Sequence, residues 1–117
     1  MADLAMFDLT GRVALVTGAA QGLGRAMALA LAEAGANLLL VDRNLTGAET
    51  TAHTIEQMGR RVRAAACDVS DAQQVQNLFH DLDRHFGRID ILGNVAGDGL
   101  LAAPEEISLE QVEQVLA

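Results

Sequence analysis

A chain of 117 residues has the length of one domain, and half of its residues are apolar although only 3% are aromatic. We therefore predict a single domain over residues 1–117 with a core of alanine, valine, leucine and isoleucine. The net charge of -8 argues against a nucleic-acid binder, because such proteins neutralise phosphates with a basic surface.

The first residues, "MADLAMFDLTGR", contain acidic side chains but no basic stretch of the kind that opens a secretory signal. No apolar run in the sequence reaches the length that crosses a membrane. The single cysteine, Cys67, cannot form a disulfide within the chain, which fits a reducing compartment. We expect a soluble, unprocessed cytoplasmic protein that binds neither a membrane nor a nucleic acid.

Short runs of β-forming residues alternate along the chain with longer segments that have helical spacing. The β-forming runs are, in chain order, "RVALVT", "NLLLVD", "RVRAAACD" and "RIDILGNV". The apolar residues with helical spacing are Leu23, Met27, Ala30 and Leu31, then Ile55 and Met58, then Val75, Leu78, Leu82 and Phe86. The sequence thus predicts four strands with three helices between them.

The ends of the helical segments carry recognisable signals. Each segment is followed by a glycine of the type that forms a left-handed C-terminal cap: Gly35, Gly59 and Gly87. Ser70 is predicted to cap the start of the third helix, with Asp71 in its first turn, and Ser108 to cap a further helix near the end of the chain.

Alternation of strands and helices at this rhythm indicates a parallel sheet with helices packed on its faces. The first two strands are almost continuously apolar, as expected of strands buried on both sides. Right-handed crossovers then favour the strand order 3-2-1-4. We therefore predict an α/β fold with a doubly wound, Rossmann-type parallel sheet of about four strands and helices on both faces.

The turn after the first strand, "TGAAQGLG", contains three glycines: Gly18, Gly22 and Gly24. A glycine-rich turn into a helix lets the backbone approach a pyrophosphate, and the helix N-terminus offers it free amides and a positive dipole end. An acidic protein can bind a dinucleotide in this way without lysine. The alternative is a tight turn in which glycine serves only close packing of helix and strand.

The second strand ends in "VDRN", which places Asp42 18 residues after Gly24. This is close to the separation of about 20 residues at which dinucleotide-binding folds carry an acid for the ribose hydroxyls. A carboxylate repels a 2′-phosphate, so Asp42 favours NAD over NADP. Arg43 is expected to stack on the adenine or, less favourably, to meet a 2′-phosphate. The alternative role of Asp42 is to cap a turn.

Two further strand ends carry candidate residues. After the third strand, Asp68 either accepts a hydrogen bond from the adenine amino group, with Val69 against the ring, or caps the next helix beside Ser70. Cys67 is interpreted as a small core residue. After the fourth strand, Ala96 and Gly97 of "GNVAGDG" leave room for a nicotinamide ribose, unless this segment is only a flexible loop.

The three histidines, His53, His80 and His85, lack the spacing of metal ligands. We interpret them as solvated side chains and predict no metal site.

Taken together, these motifs resemble those of the short-chain dehydrogenase/reductase (SDR) family. "TGAAQGLG" is similar to the family's T-G-x-x-x-G-x-G cofactor motif, and "NVAG" to its N-N-A-G motif with Val95 in place of the second asparagine. Asp68, Val69 and the run "GRIDIL" also lie where the family has them, so the resemblance extends from about Leu9 to the end of the chain.

The resemblance implies an NAD(P)-dependent oxidoreductase that interconverts an alcohol and a carbonyl. In the intact enzyme it implies a small-molecule substrate and assembly into a homo-oligomer. The cofactor contacts that it implies come from Gly18, Gln21, Gly22, Leu23, Gly24, Asp42, Asp68, Val69, Asn94, Ala96 and Gly97.

In the SDR family a tyrosine acts as general acid/base, together with a lysine and a serine, in a Y-x-x-x-K segment further along the chain. This sequence has no tyrosine, all its basic residues are arginine, and both serines are already interpreted as caps. We therefore predict no catalytic residue and no turnover by this chain alone. We interpret it as an SDR cofactor-binding domain cut short at its carboxyl end, which would leave the fourth strand as an uncovered apolar edge.

Two other interpretations remain. One is a short protein that binds NAD, or a partner through the sheet edge, without catalysing a reaction. The other is a Rossmann methyltransferase, a class that also has a glycine-rich first loop and an acid at the end of the second strand. The spacing of Gly18, Gly22 and Gly24 and the "NVAG" motif argue against the methyltransferase.

Overall fold

The computed structural model describes residues 8–95 and 100–102. Strands and helices alternate through most of this range, as the sequence predicts. The elements are, in chain order, β1 Val13–Thr17, α1 Gly22–Glu33, β2 Asn37–Asp42, α2 Leu45–Glu56, β3 Val62–Ala66, α3 Ala72–His85, β4 Ile91–Asn94 and β5 Leu100–Ala102.

The strands form one sheet in the order β3-β2-β1-β4-β5. The pairs β3–β2, β2–β1 and β1–β4 are parallel, so the predicted order 3-2-1-4 is confirmed. The chain crosses from β3 past β2 and β1 to β4, and this reversal places the carboxyl ends of β1 and β4 side by side. The carboxyl ends of the parallel strands therefore form one edge on which a ligand site can be built.

β4 is paired with a neighbouring strand at both of its edges, which corrects the prediction that it is an uncovered edge strand. β5 pairs antiparallel with β4, with Leu92 opposite Ala102 and Asn94 opposite Leu100. The sequence signal for β5 is weak because this strand has only three residues.

A hydrophobic core lies on each face of the sheet. On one face, α1 and α2 pack on alternate residues of the central strands; this core includes Ala14, Val16, Ala28, Ala32, Leu38, Leu40, Ala52 and Ile55. On the other face, α3 packs on the intervening strand residues; this core includes Leu15, Leu39, Val41, Val75, Leu78, Phe79, Leu82 and Leu92. Because both faces of β1 and β2 are covered, their apolar runs are continuous rather than alternating. The fold is a Rossmann-type α/β fold.

The buried side of α1 is made of small residues and not of the predicted Leu23, Met27, Ala30 and Leu31. Gly24, Ala28 and Ala32 are buried, whereas Leu23 is 63% exposed. These three residues follow one another at four-residue intervals on one side of the helix. Small side chains allow α1 to lie close to the sheet, and that closeness is why its leucines are found at the margin of the contact or in solvent.

The start of α3 also differs from the prediction. Asp71, not Ser70, is the N-cap, and its carboxylate accepts hydrogen bonds from the amides of Gln73 and Gln74. A charged acceptor is favoured at the positive end of a helix. The predicted glycine caps are present, since Gly35, Gly59 and Gly87 all have positive φ. The predicted cap Ser108 lies outside the described residues.

Candidate dinucleotide-binding site

The glycine-rich loop joins β1 to α1 in a tight turn. Gly18 and Gly22 have φ angles of 68° and 57°, in the left-handed region that favours glycine. Gly24 is different, because a Cβ there would overlap the carbonyl of Gly18. Gly24 therefore serves close packing, as the alternative interpretation proposed. A Cβ at Gly22 would meet no atom of the described residues within 4 Å, so these residues leave this side of the loop open.

The N-terminus of α1 lies on this side of the loop, and no side chain among the described residues caps it. Gln21 is the N-cap, but its side chain makes no capping hydrogen bond, and the first turn contains no acidic residue. The amides of an uncapped first turn carry the positive end of the helix dipole. An anionic group is the complementary ligand for this helix end.

Asp42 lies at the end of β2, next to the glycine-rich loop. Its Oδ2 accepts a hydrogen bond from the amide of Ala20 at 3.0 Å, and its Oδ1 accepts one from the amide of Asn44 at 2.9 Å. The second bond closes a turn before α2, which is the alternative role suggested by the sequence. The first bond joins the carboxylate to the loop, and an ionised carboxylate with about four acceptor positions keeps capacity for further donors.

A cavity of about 130 Å³ lies between the ends of β1, β2 and β3. It brings together four residues that the sequence predicted for the cofactor, Gly18, Asp42, Arg43 and Val69. A groove of about 520 Å³ between α2 and β3 is larger, but it contains none of the predicted residues. Of these two, the smaller cavity adjoins the glycine-rich loop.

Cys67 lines the same cavity and is only 3% exposed. Burial raises the pKa of its thiol above the ordinary value of 9.0, and the negative charges of Asp68 and Asp71 raise it further. The thiol is therefore protonated near neutral pH. It packs in the core under α3, in agreement with its interpretation as a small core residue.

Asp68 does not cap α3, so that alternative is wrong. Its Oδ1 accepts hydrogen bonds from the hydroxyl of Ser70 at 2.7 Å and from the Ser70 amide at 3.0 Å. These bonds lower the pKa of the Asp68 carboxyl, and the positive charge of Arg43 lowers it further. Asp68 is thus an ionised acceptor at the carboxyl end of β3, and its contact with adenine stays a prediction.

Asn94 ends β4 and is buried beside β1. The hydroxyl of Thr17 donates to its Oδ1 at 2.8 Å, which ties the carboxyl ends of the two strands together. Ala96 and Gly97, which were predicted to leave room for the nicotinamide ribose, lie outside the described residues.

Sequence reasoning missed two residues whose side chains hydrogen-bond to the backbone of the site. Thr51 of α2 donates from its hydroxyl to the carbonyl of Ala19 in the glycine-rich loop, at 2.9 Å. Gln74 of α3 accepts from the amide of Asp68 at 2.8 Å. A threonine between the buried Ala48 and Ala52 is the signal that could have revealed the first contact. No comparable signal marks Gln74.

Within residues 8–95 and 100–102, no group of three histidine, cysteine, aspartate or glutamate side chains could hold a metal ion. His53 and His80 are exposed, and His85 lies 3.3 Å from Asp81. No helix in this part of the chain is long and apolar enough to cross a membrane.

Sequence comparison relates the chain to characterised enzymes. The profile of the short chain dehydrogenase family matches residues 12–117. The chain is 48% identical over 111 residues to D-threitol dehydrogenase of Mycolicibacterium smegmatis, which is 95% of this chain and 43% of that protein. It is 50% identical over 91 residues to human 15-hydroxyprostaglandin dehydrogenase [NAD(+)], 76% of this chain and 34% of that protein. The chain thus spans less than half the length of these relatives.

Solved structures give the same result. A hydroxysteroid dehydrogenase from Escherichia coli matches 79% of this chain and 39% of its own length, with a TM-score of 0.73 and 32% identity. A short chain dehydrogenase/reductase from Burkholderia phymatum, solved in complex with NAD, matches 74% of this chain and 31% of its own length, with a TM-score of 0.69 and 37% identity. The fold, the glycine-rich loop and these similarities together show that the chain belongs to the short chain dehydrogenase family, whose members bind NAD or NADP.

Proposed function

We propose that the carboxyl edge of the sheet binds NAD, and that the chain is the cofactor-binding part of an oxidoreductase that interconverts an alcohol and a carbonyl. The observation that carries this proposal is the hydrogen bond between the Asp42 carboxylate and the Ala20 amide. It holds a ribose-binding group and a phosphate-binding loop against each other at one edge of the sheet.

The pyrophosphate is assigned to the start of α1. The N-terminal turn contains the amides of Gln21, Gly22, Leu23 and Gly24. In the part of the chain that the structure describes, no side chain caps this turn, and Gly22 has space beside it. Backbone amides at a helix N-terminus bind phosphate without a basic side chain. This arrangement explains how a chain with a net charge of -8 attracts an anionic cofactor.

The adenosine half is assigned to Asp42 and the 130 Å³ cavity. The Asp42 carboxylate accepts hydrogen bonds from the two ribose hydroxyls, and its negative charge repels the extra phosphate of NADP. Arg43 and Val69 line the cavity where the adenine ring lies, and Asp68 is the acceptor for its amino group. This half of the site selects NAD over NADP.

The nicotinamide half is assigned to Asn94 at the end of β4 and to Ala96 and Gly97, which follow in the sequence. When bound, the nicotinamide ring accepts or donates the hydride of the reaction. The 117 residues contain neither tyrosine nor lysine, so we assign no proton-transfer residue to this chain.

The test is a calorimetric titration of the full chain with NAD and NADP, compared with the variant Asp42→Ala. We expect the wild-type chain to bind NAD more tightly, and the variant to lose roughly tenfold or more in NAD affinity, as for a hydrogen bond to a charged group. NADP affinity should change much less, because its 2′-phosphate is no longer repelled.

Asp83→Ala is the matched control, since it removes an exposed carboxylate from α3, away from the carboxyl edge. An unchanged ratio of NAD to NADP affinity in Asp42→Ala would show that Asp42 only closes the turn before α2. A wild-type chain that binds neither dinucleotide would refute the proposed function as a whole.

A further inference from the structure

The second helix lies against the back of the glycine-rich loop, on the side away from the proposed pyrophosphate. Two residues one turn apart on α2 make this contact, Gly47 and Thr51. Neither belongs to the motifs that the sequence marks for the cofactor, and neither lines the cavity at the strand ends.

Thr51 contributes a hydrogen bond from a fully buried side chain. It is 0% exposed, and its hydroxyl donates to the carbonyl of Ala19 at 2.9 Å. The same hydroxyl lies 3.3 Å from the carbonyl of Gly47, which is the usual local contact of a helical threonine. The bond to the loop is the shorter and therefore the stronger of the two.

Gly47 allows α2 to lie close to the glycine-rich loop. A Cβ at this position would lie 2.7 Å from the Cβ of Ala20 and 2.8 Å from the side-chain amide of Asn44. Ala20 belongs to a short loop and has no flexible side chain that could move aside. A larger residue at Gly47 would therefore displace either the loop or the first turn of α2.

Three hydrogen bonds from two elements thus hold the peptide groups of the loop. The amide of Ala19 donates to the carbonyl of Val41, the amide of Ala20 donates to Asp42, and the carbonyl of Ala19 accepts from Thr51. Two of these bonds come from β2 and one from α2. The carbonyl of Ala19 and the amide of Ala20 belong to one peptide group, and both are hydrogen-bonded. The orientation of this peptide group is therefore fixed, and with it the direction of the amides that follow toward α1.

We infer that Thr51 is a positioning residue for dinucleotide binding: its hydroxyl, together with Gly47, sets the orientation of the glycine-rich loop that receives the pyrophosphate. The inference rests on the proposed NAD site. Thr51 acts through the backbone of Ala19 and touches no part of the cofactor. Its role therefore concerns the phosphate half of the ligand and leaves the adenosine half alone.

The first test compares Thr51→Val with Thr51→Ser in the full chain. Valine keeps the shape of threonine but removes the donor, whereas serine keeps the hydroxyl. We expect Thr51→Val to weaken NAD binding about fivefold or more, the effect of one buried hydrogen bond. The affinity for adenosine, which has no phosphate, should change less than about twofold. Thr51→Ser should keep an NAD affinity close to that of the wild type.

Thr50→Val is the matched control, because Thr50 is exposed on the same helix and bonds only locally, to the carbonyl of Thr46 at 3.0 Å. It should leave NAD and adenosine binding unchanged. A general loss of stability would lower the affinities for NAD and adenosine together. A loss of NAD affinity without a loss of adenosine affinity therefore distinguishes positioning from a purely structural role.

A second measurement needs no ligand. Amide hydrogen exchange at Ala19 and Ala20 should become about fivefold faster or more in Thr51→Val, while exchange in the middle of β2 stays unchanged. If Thr51→Val does not fold, Gly47→Ala replaces it, because alanine favours the helix while its methyl group displaces the loop. The same separation of NAD from adenosine is expected of Gly47→Ala.

The inference is overturned if a folded Thr51→Val or Gly47→Ala chain exchanges Ala19 and Ala20 at the wild-type rate and binds NAD with wild-type affinity. These outcomes differ from a failure of the proposed function. A wild-type chain that does not bind NAD refutes the cofactor site, whereas the exchange rates at Ala19 and Ala20 still decide whether Thr51 holds the loop.

Discussion

At the scale of single residues, Asp42 combines an observed structural role with the ribose-binding role that we propose for it. Its carboxylate closes the turn to Asn44 and also accepts from Ala20 in the loop. The sequence suggested these as alternatives, because a turn-capping aspartate and a ribose-binding aspartate occupy the same kind of position. In the fold, the bond to the loop is what aligns this acid with the start of α1.

Cys67 provides a residue-scale prediction about pH. Burial raises the pKa of its thiol above 9.0, so the thiol stays protonated to a higher pH in the folded chain than in the unfolded chain. Above the unfolded pKa the unfolded state binds fewer protons, and the free energy of unfolding falls as pH rises. The stabilisation is complete below about pH 9 and is lost between the unfolded and the folded pKa.

Denaturant unfolding of the wild type and of Cys67→Ala as a function of pH checks this prediction. Relative to the variant, the wild type should lose free energy of unfolding above about pH 9, by at most about 1.4 kcal/mol per pH unit. Identical pH dependence of the two chains in this range would show that the thiol does not titrate differently in the folded state.

At the scale of elements, the approach of α1 to the sheet depends on its small buried residues. Gly24, Ala28 and Ala32 form the contact, and the loop between β1 and α1 is tight because Gly24 packs on Gly18. A helix that lies this close to the sheet brings its N-terminus to the carboxyl edge. The packing of α1 and the position of the proposed phosphate site are therefore two results of one arrangement.

Ala28→Leu tests this arrangement. Ala28 is completely buried between α1 and the sheet, so a larger side chain must push the helix outward. We expect a loss of about 1–3 kcal/mol in the free energy of unfolding, measured with urea. Ala30→Leu, on the exposed side of the same helix, should stay within about 0.5 kcal/mol of the wild type. Equal stability of the two variants would contradict close packing of α1.

At the scale of the whole molecule, the sequence predicted the strand order because it depends on periodicity, crossover hand and connection length. Continuous apolar runs in β1 and β2 indicated burial on both faces, and the structure has a core on each. The predicted residues Gly18, Asp42, Arg43 and Val69 meet at one cavity for the same reason, since carboxyl ends of parallel strands share an edge.

The parts that the sequence did not predict depend on distances between elements. Leucines and alanines along α1 have similar periodicity, so the pattern alone could not show that the small residues face the sheet. Ser70 and Asp71 are both good helix caps, and only the geometry of the turn selects Asp71. The Thr51 contact joins residues 32 positions apart in the chain, so the pattern of α2 can indicate that Thr51 is buried but not which residue it contacts.

The central claim is that the pyrophosphate of NAD binds the main-chain amides at the start of α1, with the ribose on Asp42. Titration of the isotope-labelled chain with NADH, followed by amide chemical shifts, tests it most directly, with S-adenosylmethionine as the comparison ligand. We predict that NADH causes its largest shifts at residues 21–24 and next to Asp42, and that S-adenosylmethionine does not. Unshifted amides at residues 21–24 under saturating NADH, or equal shifts with S-adenosylmethionine, would contradict the account.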